Sequence, residues 1–201
     1  YTWNIFFQTG NSGSVMPIAW GGLIVGVIFF VITMFKVQWA GITAPIYAIA
    51  QGLFLGAFSA IFELQFPGIV IQAVGLTLGT LTSLLFLYKT GIIKPTENFR
   101  LMIVSATMGI GLLYLVSILM NMFGSSGISF IHSNGLVGIG FSLVVVGIAA
   151  LNLVLDFDFI EQGSEVGAPK YMEWFGAFSL MVTLIWLYLE MLRLLMKLRS
   201  R

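Results

Sequence analysis

Long apolar runs, broken at short intervals by glycine, proline and charge, set the layout of this chain. Six stretches reach the roughly 20 residues that a membrane-crossing helix needs: residues 16–35, 44–62, 68–88, 101–123, 135–155 and 172–196. None shows the period-2 alternation of a barrel strand, so each reads as a helix. Gly41 and Pro45 punctuate the first connection, and Phe66-Pro67-Gly68 makes the second a tight turn. The third connection, residues 89–100, is longer, and Gly124-Ser125-Ser126-Gly127 forms the fourth. The order Pro95-Thr96-Glu97 suits a helix start, with Thr96 as N-cap and Glu97 facing the helix dipole. The expected fold class is an all-α polytopic membrane protein, one transmembrane helical-bundle domain over residues 1–201 with six visible spans. Tyr1 to Phe7 is rich in aromatics and reads as an interfacial anchor or as the end of a further, truncated helix. The start at Tyr1 fits an upstream segment that is missing, either a cleaved signal peptide or a first helix.

Composition strengthens the membrane reading. The chain is 59% hydrophobic and 8% charged, against about 25% charged residues in a soluble domain. So few charges cannot clothe a core in water. A net charge of +1 gives no basic stripe for phosphates, which excludes nucleic acid as a partner. There is no cysteine and one histidine, His132, so disulfides, thiolate chemistry and zinc or haem ligation are not expected. No resident cofactor is expected, and the lipid bilayer is the first partner.

Lysine and arginine set orientation. Lys36, Lys89, Lys94, Arg100 and Lys170 collect on one side of the six-helix layout, which predicts that side as cytoplasmic. The opposite loops carry none, yet Arg193, Lys197, Arg199 and Arg201 fall at that end of the last helix. Either the rule is broken here or the last helix does not cross completely. Gly22/Gly26, Gly52/Gly56 (with Ala60 one turn on) and Gly75/Gly79 have the spacing that lines one helix face with small residues. Close helix packing is the favoured reading, ahead of a substrate passage.

The densest chemistry lies in Leu151–Glu161, LNLVLDFDFIE, where an apolar run ends in two aspartates. Five of the eight acidic residues, Asp156, Asp158, Glu161, Glu165 and Glu173, fall between the end of this run and the start of the next, Glu173 at its second residue. Charge near lipid is costly and marks function. Asn152 is four residues before Asp156 and shares its helix face, where it can hold the carboxylate or its proton. Asp158 lies about 200° from Asp156 around a continuing helix. Asp158 reads as a solvated helix end, while for Asp156 function and structure weigh evenly. A partner for Asp156 must come from another helix, and Lys36, at similar depth, is a candidate. Read as an EF-hand, the stretch from Asp156 fails: Glu161 stands where glycine is required and Gly167 where a bidentate glutamate is required. Asp156 and Asp158 remain candidates for a looser calcium site. Glu190 and Arg193 form an i,i+3 pair, read as structural before catalytic. Glu63 ends the second span as an interfacial residue or a pathway mouth, and Thr183 most simply bonds its own helix. No nucleophile–base arrangement, Walker loop or HExxH motif is present, and the chain reads as a non-enzyme.

Three blocks carry a family pattern: APIYAIAQGLFLGAFSAIFE over 44–63, LYKTGIIKPTENFR over 87–100, and LNLVLDFDFIE followed by EWFGAFSLMVTLIWLYLEMLRLL over 151–161 and 173–195. Together they resemble the Bax inhibitor-1 family (YccA-like, TMBIM-type membrane proteins), and particularly its bacterial branch. The resemblance implies a seven-helix bundle whose first helix is missing or truncated here. It also implies a pH-sensitive calcium leak, with calcium as the transported ion, across the bacterial cytoplasmic membrane. In the family two aspartates share a proton and act as a latch. Asp156 matches the first, and the second, counted back from Arg193, falls on Thr183. An Asp–Thr pair lacks the coupled titration of two carboxylates. A basic residue that holds the family latch corresponds approximately to Lys36. The resemblance also admits a non-transporting role as partner or regulator of a membrane complex such as an FtsH-type protease. A proton-coupled transporter ranks last, because no span has a proline-broken centre.

Overall fold

A helix in lipid must satisfy its own backbone, so the apolar runs fold as continuous helices. The computed structural model describes residues 1–9, 12–123 and 135–200. His132, the Gly124–Gly127 connection and Arg201 lie outside them. We number the helices α1 Thr2–Thr9, α2 Ser12–Phe35, α3 Ala40–Gln65, α4 Ile69–Lys89, α5 Glu97–Met122, α6 Leu136–Glu165 and α7 Lys170–Arg199, with a 3-10 turn at Val37–Trp39. Helices α2 to α7 are long and apolar enough to cross a membrane. The protein is thus an all-α polytopic membrane protein, with no strand among the described residues.

The six expected spans are all present, and the differences lie at their ends. Gly41 and Pro45 sit inside α3, which already begins at Ala40. The first connection is only Lys36 and the 3-10 turn. Helix α6 runs past both aspartates to Glu165. Thr96 caps α5 as expected, its hydroxyl accepting from Phe99 N at 3.3 Å. Glu63 is not a loose end. Its carboxylate accepts from Gly68 N at 2.6 Å and Val70 N at 3.1 Å, and so caps the start of α4 across the Phe66-Pro67-Gly68 turn, where Gly68 takes a φ of +79°.

The chain divides into two compact units, Tyr1–Val70 with Phe159–Met181, and Ile71–Asp158 with Val182–Arg201. In the first, the aromatic N-terminal stretch folds as α1 and packs rather than lying free. Phe6 is buried with Val15, Ala19, Ala57 and Ala60, and Thr2 donates to Leu53 O at 3.1 Å. Phe178 packs its ring 5.1 Å from Tyr47 and 5.8 Å from Phe30. The turn joining α6 to α7 closes with Ala168 N on Gly163 O and Gly167 N on Ser164 O. Gly167 holds a φ of +63° there, which favours glycine at this C-cap.

The glycine seams divide. A Cβ at Gly22 would stand 2.6 Å from Ala50 O, one at Gly26 2.7 Å from Gln51 Nε2, and one at Gly56 would strike Thr2 Oγ1. These are close-packing positions. Gly52, Gly75 and Gly79 face open space, so the third seam packs nothing. Gly22→Ala is expected to cost about 1–3 kcal/mol, because backbone atoms cannot move aside as a flexible side chain can. Gly21→Ala, next door and facing nothing within 4 Å, is expected to gain up to about 1 kcal/mol from helix propensity. Thermal unfolding in micelles checks the pair, and equal shifts in the same direction would refute the seam.

In the second unit α4 ends on Gly91, with Ile92 N bonded to Leu87 O and Gly91 N to Tyr88 O. The chain then turns through Lys94 and Pro95 to the Thr96 cap. This places Arg100 one turn into α5.

Candidate functional site

Polar residues recur on α5 every seven positions, at Arg100, Thr107, Tyr114 and Asn121. Two turns of helix separate them, so they share a face. The first three meet α6 in antiparallel order. Arg100 Nη2 donates to Asp158 Oδ2 at 2.7 Å. Asn152 Nδ2 donates to Thr107 Oγ1 at 2.8 Å. The Tyr114 ring meets the Phe141 ring edge-on at 6.4 Å. Asp158 is therefore no solvated helix end: it is buried and holds a guanidinium. That cation opposes a calcium ion at the same carboxylate. No group of three acidic, histidine or cysteine side chains suited to a metal occurs among the described residues.

Asp156 is 7% exposed and lies nine residues inside the end of α6. Asn152 shares its face but does not donate to it. The Asn152 amide nitrogen is engaged with Thr107 Oγ1 and with Ile148 O at 2.9 Å. Thr183 is buried on α7 within the same unit. Lys36 is exposed in the first unit, at the N-cap of the 3-10 turn.

A second polar centre joins α5, α6 and α7. Glu190 is 2% exposed, and its Oε1 accepts from Arg193 Nη1 at 2.8 Å and from the Tyr114 hydroxyl at 3.0 Å. Arg193 Nη1 also donates to the Tyr114 oxygen at 2.6 Å, and its guanidinium sits 5.1 Å from the Tyr114 ring centroid. One turn on, Lys197 is 2% exposed and donates to Gly138 O at 3.0 Å and Ser142 Oγ at 2.8 Å. The expected Glu190–Arg193 pair is present. Tyr114, Ser142 and Lys197 were not foreseen as its company. The centre also accounts for the basic residues that upset the orientation count. Arg193 and Lys197 are bound inside the unit, and Arg199 Nη2 donates to Gln72 Oε1 at 3.0 Å. They are not free loop charges of the kind that set topology. Helix α7 runs 30 residues to Arg199, long enough for a full crossing.

Residues 1–200 match the family described as Bax inhibitor 1 like. The chain belongs to the Bax inhibitor 1-like family. No curated relative and no solved structure matches it. Family membership and the six apolar helices make it a multi-pass membrane protein. Asp156 is buried within α6 and Thr183 within α7. The Arg100–Asp158 pair and the Glu190 centre both lie in the second unit.

Proposed function

We propose that this Bax inhibitor 1-like protein is a calcium leak pathway of a bacterial cytoplasmic membrane, with Asp156 as the group that senses protons. The observation that carries the reading is the burial of Asp156, a carboxylate 7% exposed and preceded along α6 by apolar sequence. An ionisable side chain kept at such a place is retained for what its charge does. In the charged form it attracts a cation and needs a donor. In the neutral form it carries a proton that needs an acceptor.

The test is calcium entry into dye-loaded liposomes at several pH values, wild type beside Asp156→Asn. Wild type is expected to leak in a pH-dependent way, and Asp156→Asn, fixed in the neutral state, to leak at one rate across the range. A wild-type leak whose pH dependence survives in Asp156→Asn would remove Asp156 from the role. A folded protein with no flux above empty liposomes would overturn the leak itself. Co-purification of one large membrane partner would then favour the regulator of a membrane complex.

A further inference from the structure

Helices α6 and α7 meet closely where a Cβ at Gly176 would stand 2.8 Å from Ile160 Cγ1. Beside this contact the two helices leave a cavity of about 570 Å³, lined wholly by residues between Phe159 and Leu180 and so within the first unit. Its size falls in the range of about 300–1,000 Å³ common to small-molecule sites. Phe159, Ile160, Met172 and Leu180 make its apolar walls, and Glu173 is the one charged group in the lining. The walls are held from behind. The Phe159 ring meets Phe175 edge-on at 5.8 Å, Phe175 lies 6.1 Å from Phe178, and Phe178 is buried.

The cavity lies at the membrane surface. Helix α6 has 30 residues, a length of about 45 Å against a hydrocarbon thickness of about 30 Å. Its apolar span ends at Leu155, and the cavity begins beyond that point. There Phe159, Ile160, Val166 and Trp174 remain exposed. An exposed apolar patch with a polar rim marks a binding site. The rim has a sign as well: residues 159–173 carry Glu161, Glu165 and Glu173 against one cation, Lys170.

We propose that this hairpin cavity is a binding site for a hydrophobic organic cation, a positive charge carried on an apolar body and taken from the aqueous side, with Glu173 as its counter-charge. The apolar walls take the body out of water. Glu173 attracts the charge, and the Phe159 ring is of the kind that draws cations to its face. An anionic lipid or a phosphate ester is opposed by the same carboxylates. A bare metal ion needs several oxygens and gains nothing from apolar walls. The site does not depend on the leak reading and stands whether or not calcium passes.

The experiment measures equilibrium binding of tetraphenylphosphonium to the full chain in uncharged maltoside micelles, with empty micelles as the blank. Tetraphenylborate, of the same shape and opposite charge, is the control. Wild type is expected to bind the phosphonium saturably, one per chain, and not the borate. Glu173→Gln is expected to weaken binding about fivefold, the upper end of an exposed ion pair. Ala177→Trp places a large ring in the cavity and is expected to abolish saturable binding. If Ala177→Trp does not fold by gel filtration and helical content, Glu173→Gln and the borate control carry the test. No saturable binding above empty micelles, equal binding of the borate, or an affinity unchanged in Glu173→Gln overturns the site. Displacement of the phosphonium by one equivalent of phosphatidylethanolamine would make the occupant a lipid headgroup and overturn the free cation.

Discussion

Arg193→Ala is expected to cost about 3–5 kcal/mol of stability, the loss typical when one partner of a buried charge pair is removed. Glu190 has no route to water at 2% exposure. Its Oε1 would keep only the Tyr114 hydroxyl, and its Oε2 has no partner in the protein to begin with. Arg193 itself is 35% exposed along its side chain, so the reverse deletion, Glu190→Gln, is the milder one: the guanidinium can turn to water or to headgroups. The double variant Glu190→Gln/Arg193→Ala is expected to recover most of the loss, because a neutral amide replaces the stranded charge. Coupling energies between polar groups in membrane bundles are often near 0.6 kcal/mol. The size of the recovery therefore decides whether Glu190 is truly desolvated. Denaturant or thermal unfolding in mixed micelles gives the numbers. A loss under about 1 kcal/mol for Arg193→Ala would mean that lipid headgroups or water reach the carboxylate.

Spans were legible because lipid makes one demand that shows locally: about 20 apolar residues per crossing. Their ends were less legible. Helix α3 begins at Ala40 and runs through Gly41 and Pro45, although Pro45, its sixth residue, forgoes the bond to Gly41 O. Helix α6 continues through Asp156 and Asp158, where charge read as a terminus, because the ends of α6 and α7 are joined by the Gly163–Ala168 turn and not by the aspartates. The apolar context of Asp156 predicts its burial, and the fold buries it. The partner of Asp158 was not found, although a signal existed: Arg100, Thr107, Tyr114 and Asn121 repeat at seven residues through an apolar span, and such a repeat marks one face meant for a neighbour. Lys197 was read as a tail charge for a different reason. Local sequence shows that a lysine lies near a helix end, but only the fold shows that it turns inward to Gly138 and Ser142. Of the glycine seams, Gly22 and Gly26 pack and Gly75 and Gly79 do not, since the same spacing serves any face.

The Arg100–Asp158 pair carries a prediction in which the two halves differ. Arg100→Ala is expected to cost about 1.5–3 kcal/mol, the scale of a lost charge-assisted hydrogen bond. Asp158→Asn is expected to cost about 1 kcal/mol or less. The asymmetry follows from exposure: the Asp158 side chain is 12% exposed and that of Arg100 is 41% exposed. A guanidinium released at the start of α5 finds water or phosphate at the membrane surface, whereas a carboxylate released inside α6 does not. The exchange Arg100→Asp with Asp158→Arg is expected to do worse than either single change, because it buries the larger, more strongly donating group where the carboxylate was held. Unfolding in micelles orders the three variants. Equal losses for Arg100→Ala and Asp158→Asn would place both groups in the same solvent and make the pair a surface contact. An Asp158→Asn protein that is intact but leaks calcium as wild type does would confine the proton-sensing role to Asp156, the carboxylate that shares its helix with Asp158 but faces about 200° away.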